Sequence, residues 1–457
     1  MRPSILFSSQ ASLRSLRRTF LSCSSPLHAQ HAHLQPSCFT LPLFSNNNYS
    51  YTTMSSNMSS PLKFADTGFD IVDTSKKFEE ETLPDYCPAD YYPARIGQVL
   101  ADRYQIVGKL GYGVASTVWL GRDIRESRYV SLKISTSGYS TQNNEINIYK
   151  QLESVALEID HVGKTLYRQL YGSFNITAPH GTTHTCLVQQ PLGLSMDQYL
   201  DLRHSGLLST DLLKPMLRSL LIALDFVHIA GVVHTDVQSK NILFPVKDDA
   251  IFRNFEETEL KQPAPRKILS DNHIIYMTRR IPLTPTVPIL TDFGDARLIS
   301  KTQPGEFIMP HHYRAPEAIL NMEWNDKVDI WNIAVLLWDL VSPGHLFRAR
   351  IVEDGIQEAI RIAEMIAIMG PPPKEYLERS EDCKVFWDEN GKWKNLTPIP
   401  DITLESLAID IQGEDKEGFL SFLRKILRWV PEERPTAGEL VYDEWVLKGL
   451  GEKKWMK

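Results

Sequence analysis

Three short blocks in a fixed order constrain this 457-residue chain more than anything else in it. His234-Thr235-Asp236-Val237-Gln238-Ser239-Lys240-Asn241 comes first, Asp292-Phe293-Gly294 follows, and Ala315-Pro316-Glu317 closes the series. Each triplet alone arises by chance in many proteins. The ordered set does not, and its residue types suit one chemistry. Asp236 can accept or orient the proton of a hydroxyl group. Asn241 shares the frame of the same loop and can offer an amide oxygen to Mg²⁺, while Asp292 supplies the carboxylate that this hard cation prefers. Gly294 lets the backbone turn away directly afterwards.

A phosphate-binding element lies upstream. Leu110-Gly111-Tyr112-Gly113-Val114-Ala115-Ser116-Thr117-Val118 follows a strand-like run. Its two glycines allow a tight turn in which backbone N–H groups approach phosphate oxygens. A Gly-x-Gly pair by itself marks only a hairpin. Here Val130-Ser131-Leu132-Lys133 comes next, and a lysine at that strand end can hold the α- and β-phosphates of a nucleotide as a compact cation. Glu145, in the helical stretch that follows, is spaced to pair with Lys133 and fix its ammonium.

The texture around these motifs is α+β. Short β-type runs dominate from Tyr104 to about Gln190, with one helical stretch around Glu145. Leu212, Leu213, Met216, Leu217, Leu220, Leu221 and Leu224 then recur at helical spacing, opening a larger helical half. Ile330 to Val341 carries Asn332 and Asp339 and reads as a buried helix, and no run of 18 apolar residues suggests a membrane span. Residues 245–288 are charged, proline-rich and aperiodic, the pattern of an inserted surface segment. The five cysteines form no Cys-x-x-Cys pair, which points to free thiols and away from zinc. Net charge is −7, but residues 1–65 hold five cations and no acid, so the rest of the chain carries −12, a balance that favours basic partners. That leader reads as a mitochondrial presequence, as a disordered extension, or as sequence upstream of a start at Met54 or Met58.

Taken together, residues 104–446 resemble a eukaryotic protein kinase domain. Among kinases the chain is most similar to the SR-protein kinase family, in a fungal-type form with an insertion between the catalytic loop and Asp-Phe-Gly. The residues that carry this are Tyr92-Pro93-Ala94-Arg95-Ile96-Gly97, Ser116-Thr117-Val118-Trp119, His234-Thr235-Asp236 and Tyr313-Arg314. The resemblance implies a bilobal fold with a β-rich N-lobe (104–190), a hinge (190–193) and a helical C-lobe (194–446). A leader (1–65), an extension (66–103) and a tail (447–457) flank it. It implies transfer of phosphate from ATP, with Mg²⁺, to serine or threonine of an Arg/Ser-rich protein. It also implies a monomer without direct nucleic-acid or membrane partners, sited in cytoplasm or nucleus unless the leader directs it to mitochondria. Asp236, Lys133, Glu145 and Lys240 take the catalytic positions, and Asn241 and Asp292 the metal positions. Residues 110–118 and Lys133 line the ATP site, with Gln190 and Leu192 offering backbone groups to adenine and Leu243 completing it. Asp329 is expected to brace the catalytic loop, and Arg434 to pair with Glu317.

Four departures from the family pattern carry consequences. Thr235 stands where many kinases have the arginine that grips a phosphorylated activation loop, so activity independent of that phosphorylation is expected. Gln238 replaces a lysine that steadies the transferring phosphoryl group, a loss of about 2.7–4 kcal/mol if it resembles removal of an oxyanion donor. Lys240 either compensates, as a cation at that offset does in tyrosine kinases (which also have a proline where Pro310 sits), or is a solvent-facing loop lysine. Ser131 replaces an alanine against adenine, which adds a desolvation cost. Pro191 lacks an N–H, but its hinge position needs none. A weakly active or inactive pseudokinase scaffold is the alternative reading, whereas the complete Ala315-Pro316-Glu317 and Arg434 disfavour a small-molecule kinase. Glu353, Asp354, Glu358 and Glu364 form either an arginine-docking surface or a solvated helix face.

Overall fold

The computed structural model describes residues 60–137, 142–203, 205–284, 286–301, 304–348, 357–409, 411 and 415–450. The chain divides into Met1–Met54 and Ser55–Lys457, and the described residues belong to the second unit. The leader up to residue 59, Thr302, Glu353, Asp354 and residues 451–457 lie outside them.

The N-lobe is a six-stranded antiparallel sheet. Its strands are β1 (Val99–Leu100), β2 (Tyr104–Tyr112), β3 (Ser116–Asp123), β4 (Arg128–Ser135), β5 (Leu170–Thr177) and β6 (Thr183–Gln189), in the order β1-β2-β3-β4-β6-β5. Helix α1 (Gln142–Glu158) connects β4 to β5 and carries Glu145. Side chains alternate across a pleated sheet, so a strand buried along both faces needs cover on both. Ile106, Trp119, Val130, Leu132 and Ile134 pack one face with Ala94, Leu100 and Tyr276. Val107, Leu120 and Tyr129 pack the other with Phe64, Phe252 and Phe255.

Those partners correct the reading of residues 245–288. The segment is not a loose surface insertion but half of the N-lobe's cover. It forms helix α4 (Ala250–Lys261) and a hairpin of β10 (Arg266–Ser270) and β11 (His273–Tyr276). Phe252 and Phe255 sit one turn apart on α4 and seat against the sheet, while the Tyr276 ring meets Trp119 edge-on at 5.7 Å. So few apolar anchors leave no periodic signature. The acidic extension is tied into the same place. Glu80 and Glu79 face the fully buried Lys109 of β2, Glu81 binds Lys267 of the hairpin at 2.7 Å, and Glu79 accepts from the Thr278 hydroxyl at 2.6 Å. A buried ammonium needs such partners.

Strand β7 (Leu192–Ser195) begins within the hinge and leads to α2 (Met196–Asp201). The C-lobe core is built on α3 (Thr210–Ile229), the leucine-rich helix expected, and α6 (Lys327–Val341), which is buried along nearly its whole length. The short strands β8 (Val232–Val233), β9 (Ile242–Pro245), β12 (Ile289–Leu290) and β13 (Arg297–Leu298) pair in small sheets that bracket the catalytic loop. Helix α5 (Pro316–Ile319) follows the activation segment. Two polar residues of α6 bond to the segment before α5: Asn332 donates to the Tyr313 carbonyl, and Asp339 accepts the Tyr313 hydroxyl. Among the described residues no helix is long and apolar enough to cross a membrane.

Candidate active site

Lys133 is the electrostatic centre of the cleft. Its Nζ lies 2.9 Å from Glu145 on α1 and 2.8 Å from Asp292. Burial alone would lower the ammonium's pKa, but Asp292 and Glu145 outweigh it, so the group stays charged. The same pairing works on Asp292. Burial pulls its carboxyl upward, yet the Lys133 ammonium and the Gly294 N–H hold it well below the usual carboxylate range. For Glu145 burial wins, and its pKa is raised.

The catalytic loop is held from beneath. Asp329 of α6 accepts the backbone N–H groups of His234 and Thr235, each at 2.8 Å, as expected of a brace. Thr235 and Asp292 both occupy left-handed backbone, at φ +65° and +63°. Such residues cost about 1–3 kcal/mol each and persist only where the surroundings over-determine them. The Thr235 hydroxyl donates to the Asp295 carbonyl at 2.7 Å, so a neutral bond ties the loop to the start of the activation segment.

Asp236 projects from this loop with both carboxylate oxygens engaged. Gln238 Nε2 donates to Oδ1, and Asn241 Nδ2 donates to Oδ2 at 2.6 Å and to the Asp236 carbonyl at 2.9 Å. Burial raises the Asp236 pKa, against the opposing pull of Lys240 and His234. Lys240 Nζ lies 3.8 Å from Oδ2, with its side chain 58% exposed. Since Asn241 uses its amide nitrogen on Asp236, its oxygen remains for a cation, and the donor set of Asn241 and Asp292 is all hard oxygen, which suits Mg²⁺. Among the described residues no cluster of three or more His, Cys, Asp or Glu could hold a metal by itself.

The glycine hairpin spans Tyr112 to Ser116, where the Gly113 N–H donates to the Ser116 carbonyl and the Tyr91 hydroxyl of the extension donates to the Gly113 carbonyl. A Cβ at Gly111 or Gly113 would meet nothing within 4 Å, so the space above the turn is open. Val118 lies opposite Lys133, and Leu243 pairs with Ile289 across the cleft's lower sheet. At the hinge Leu192 is buried, while the Gln190 carbonyl accepts from Arg168 Nε at 2.9 Å. Arg168 and Gln189 were not anticipated from the sequence. In sequence, an arginine two positions ahead of a strand and a glutamine before the hinge carry no sign that Arg168 and Gln189 are buried. Of the acidic residues read as an arginine-docking surface or a solvated helix face, Glu353 and Asp354 lie outside the described residues, and Glu358 and Glu364 lie on α7 (Gln357–Met369), six positions and about 120° apart around the helix axis.

The distal pair is complete: Arg434 Nη1 and Nη2 meet Glu317 at 2.6 and 2.8 Å.

Comparison with known proteins agrees with this layout. A family model for the protein kinase domain matches residues 104–261 and 266–446. A serine/threonine protein kinase of Aspergillus fumigatus is 40% identical, over 83% of this chain and 94% of its own length. A serine/threonine-protein kinase SRPK of Physarum polycephalum is 28% identical over 79% of this chain and 89% of its own, and human SRSF protein kinase 3 is 35% identical over 80% and 90%. A solved kinase domain superposes with a TM-score of 0.59 at 21% identity, over 78% of this chain and 99% of its own, and supports the fold. The ordered motifs, the paired Lys133 and Glu145, and a match across nearly the whole folded region establish that this chain belongs to the protein kinase family, as a serine/threonine kinase similar to the SR-protein kinases.

Proposed function

We propose that this kinase transfers the γ-phosphoryl group of ATP to serine in Arg/Ser-rich protein segments, without prior phosphorylation of its activation segment. The observation that carries the reading is the convergence of Lys133, Glu145 and Asp292 on one side of the cleft with Asp236 and Asn241 on the other. Lys133 would hold the α- and β-phosphates, with Glu145 fixing its ammonium. Asp236 would orient the serine hydroxyl and take its proton. Asn241 and Asp292 would hold Mg²⁺, which when bound neutralises charge on the phosphates. Independence from loop phosphorylation is supported by Thr235, which joins the activation segment through a neutral hydrogen bond and offers no cation to a phosphate. The substrate class is supported by the acidic body and by relatives named as SRPK and SRSF protein kinases.

The test is phosphotransfer from labelled ATP by the full-length chain. An Arg-Ser peptide is expected to exceed a basic peptide without Arg-Ser repeats by at least tenfold in kcat/KM, and a Ser300→Ala/Thr302→Ala variant is expected to stay within twofold of wild type. Equal use of both peptides overturns the substrate class. Loss of activity in the double variant overturns the independence. No transfer above an Asp236→Asn control returns the scaffold reading.

Lys240 is proposed to take over from the absent lysine at position 238. Lys240→Ala should then lower kcat by about tenfold, less than the 10²–10³ of a preorganised donor because the side chain is more than half exposed. Adding Gln238→Lys should restore it. If Lys240→Ala leaves kcat unchanged, the side chain is a solvent-facing lysine.

A further inference from the structure

A glycine turn holds phosphate only while its N–H groups face the ligand, and fixing them there costs conformational freedom, of which glycine has the most to lose. In this chain the turn after β2 is fixed through its carbonyls. The Gly113 carbonyl accepts the Tyr91 hydroxyl at 3.1 Å, and since a carbonyl can only accept, the hydroxyl is the donor. The Ala115 carbonyl accepts the Thr136 N–H at 2.9 Å, and the Thr136 hydroxyl lies 3.3 Å from the Val114 and Ala115 carbonyls. The Ser116 carbonyl takes the Gly113 N–H at 2.8 Å. Every carbonyl from Gly113 to Ser116 is thereby engaged.

The side from which Tyr91 reaches the turn decides what its bond does. Val118 pairs with Lys133, so the two share the face turned to the cleft, whereas Thr117 and Trp119 on either side of Val118 point to the other face. Tyr91 lines a cavity together with Thr117 and Trp119, so it sits on the face away from Lys133. In a trans peptide the C=O and the following N–H point in opposite directions. Drawing the Gly113 carbonyl toward Tyr91 therefore turns the Val114 N–H toward the cleft. Tyr91 is anchored in its turn. Its ring packs against Tyr86 at 5.1 Å, and the Tyr86 hydroxyl lies 3.0 Å from His273 Nε2 on β11. The neighbouring Asp90 carbonyl accepts the Ser137 N–H at 2.8 Å, just past β4.

We propose that Tyr91, in the extension ahead of the kinase domain, is a positioning residue for the phosphates of the nucleotide: its hydroxyl keeps the glycine turn in the phosphate-binding conformation before the ligand arrives. The inference rests on the nucleotide-site reading above and adds to it a group from outside residues 104–446. A turn ordered in advance binds more tightly because less freedom is lost on binding. Tyr91 touches no phosphate itself, so its effect depends on the ligand having phosphates that reach the turn.

The test is equilibrium binding of ATP and adenosine to the full-length protein with Mg²⁺, read by displacement of a fluorescent nucleotide, in wild type and Tyr91→Phe. Phenylalanine keeps the ring against Tyr86 and removes only the donor. ATP affinity is expected to fall about fivefold, within the range of one neutral hydrogen bond, while adenosine affinity stays within about twofold. In phosphotransfer the KM for ATP should rise with kcat within about twofold, the pattern of binding lost equally from ground and transition states. An ATP affinity within about twofold of wild type overturns the proposal. An equal loss for ATP and adenosine also overturns it and gives Tyr91 a role in the stability of the lobe instead. So does a fall in kcat at unchanged KM. If ATP fails to bind wild type at all, the nucleotide-site reading itself falls, an outcome distinct from the other three.

Discussion

Replacing Asp236 by asparagine is expected to lower kcat by about a thousandfold while ATP affinity stays within threefold. The size follows from the 10²–10⁴ typical of a positioned general base, because the amide keeps the shape of the side chain but cannot take a proton. The geometry adds a second cost. Two N–H donors, from Gln238 and Asn241, converge on the two carboxylate oxygens. An asparagine has one acceptor oxygen to offer, so one donor would face an NH₂ group. The groups proposed to hold the nucleotide, Lys133, Asp292 and the glycine hairpin, are left alone. A pH profile gives an independent reading of the same residue. Burial raises the Asp236 pKa above its ordinary 3.8, and the reactive form is the carboxylate, so wild-type kcat should fall as pH drops through a midpoint above that value. The variant should lack that limb. Single-turnover phosphotransfer with a nucleotide-binding assay measures both, and a loss under tenfold would remove Asp236 from the chemistry.

What the sequence made legible is the part that short spacing controls. Asp236 and Asn241 share one loop, and the Lys133–Glu145 pair spans one strand end and one helix, so their meeting follows from local geometry. The leucine spacing of α3 and the apolar run of α6 were readable for the same reason. The clasp around β2 was not. Lys109 meets Glu80 across 29 positions, and Lys267 meets Glu81 across 186. Acidic and basic residues so far apart carry no periodicity, and in sequence they look like solvated charge. The insertion was misread because two phenylalanines one turn apart suffice to seat α4. The pairing of Ser131 with Gln189 was hidden for another reason. Ser131 could be suspected of facing adenine, but that Gln189 stands opposite it is a fact of strand register, and register is set by the pairing of β4 with β6.

Arg434→Ala is expected to cost about 3–5 kcal/mol of unfolding free energy, the range for breaking one side of a buried ion pair. The Arg434 and Glu317 side chains are 0% and 1% exposed, and the pairing is bidentate at 2.6 and 2.8 Å. The guanidinium is otherwise satisfied by the Arg428 carbonyl, reached by Nε and Nη2, and by the Lys327 carbonyl. It also lies over the buried Trp331 ring at 5.1 Å. Removing it leaves the Glu317 carboxylate without its counter-charge in a place water does not reach, and leaves a cavity beside Trp331. Arg434→Met/Glu317→Gln removes both charges and keeps the volume, so it should cost less than Arg434→Ala, although it deletes more of the pair. The effect should reach the active site, since Glu317 opens α5 directly after the segment that carries Tyr313 and Arg314. Urea unfolding of the three proteins, with kcat measured well below each midpoint, tests both statements. A cost below about 1 kcal/mol for Arg434→Ala would mean the site hydrates once opened, and a double variant less stable than the single one would mean that packing, not uncompensated charge, holds this corner of the fold.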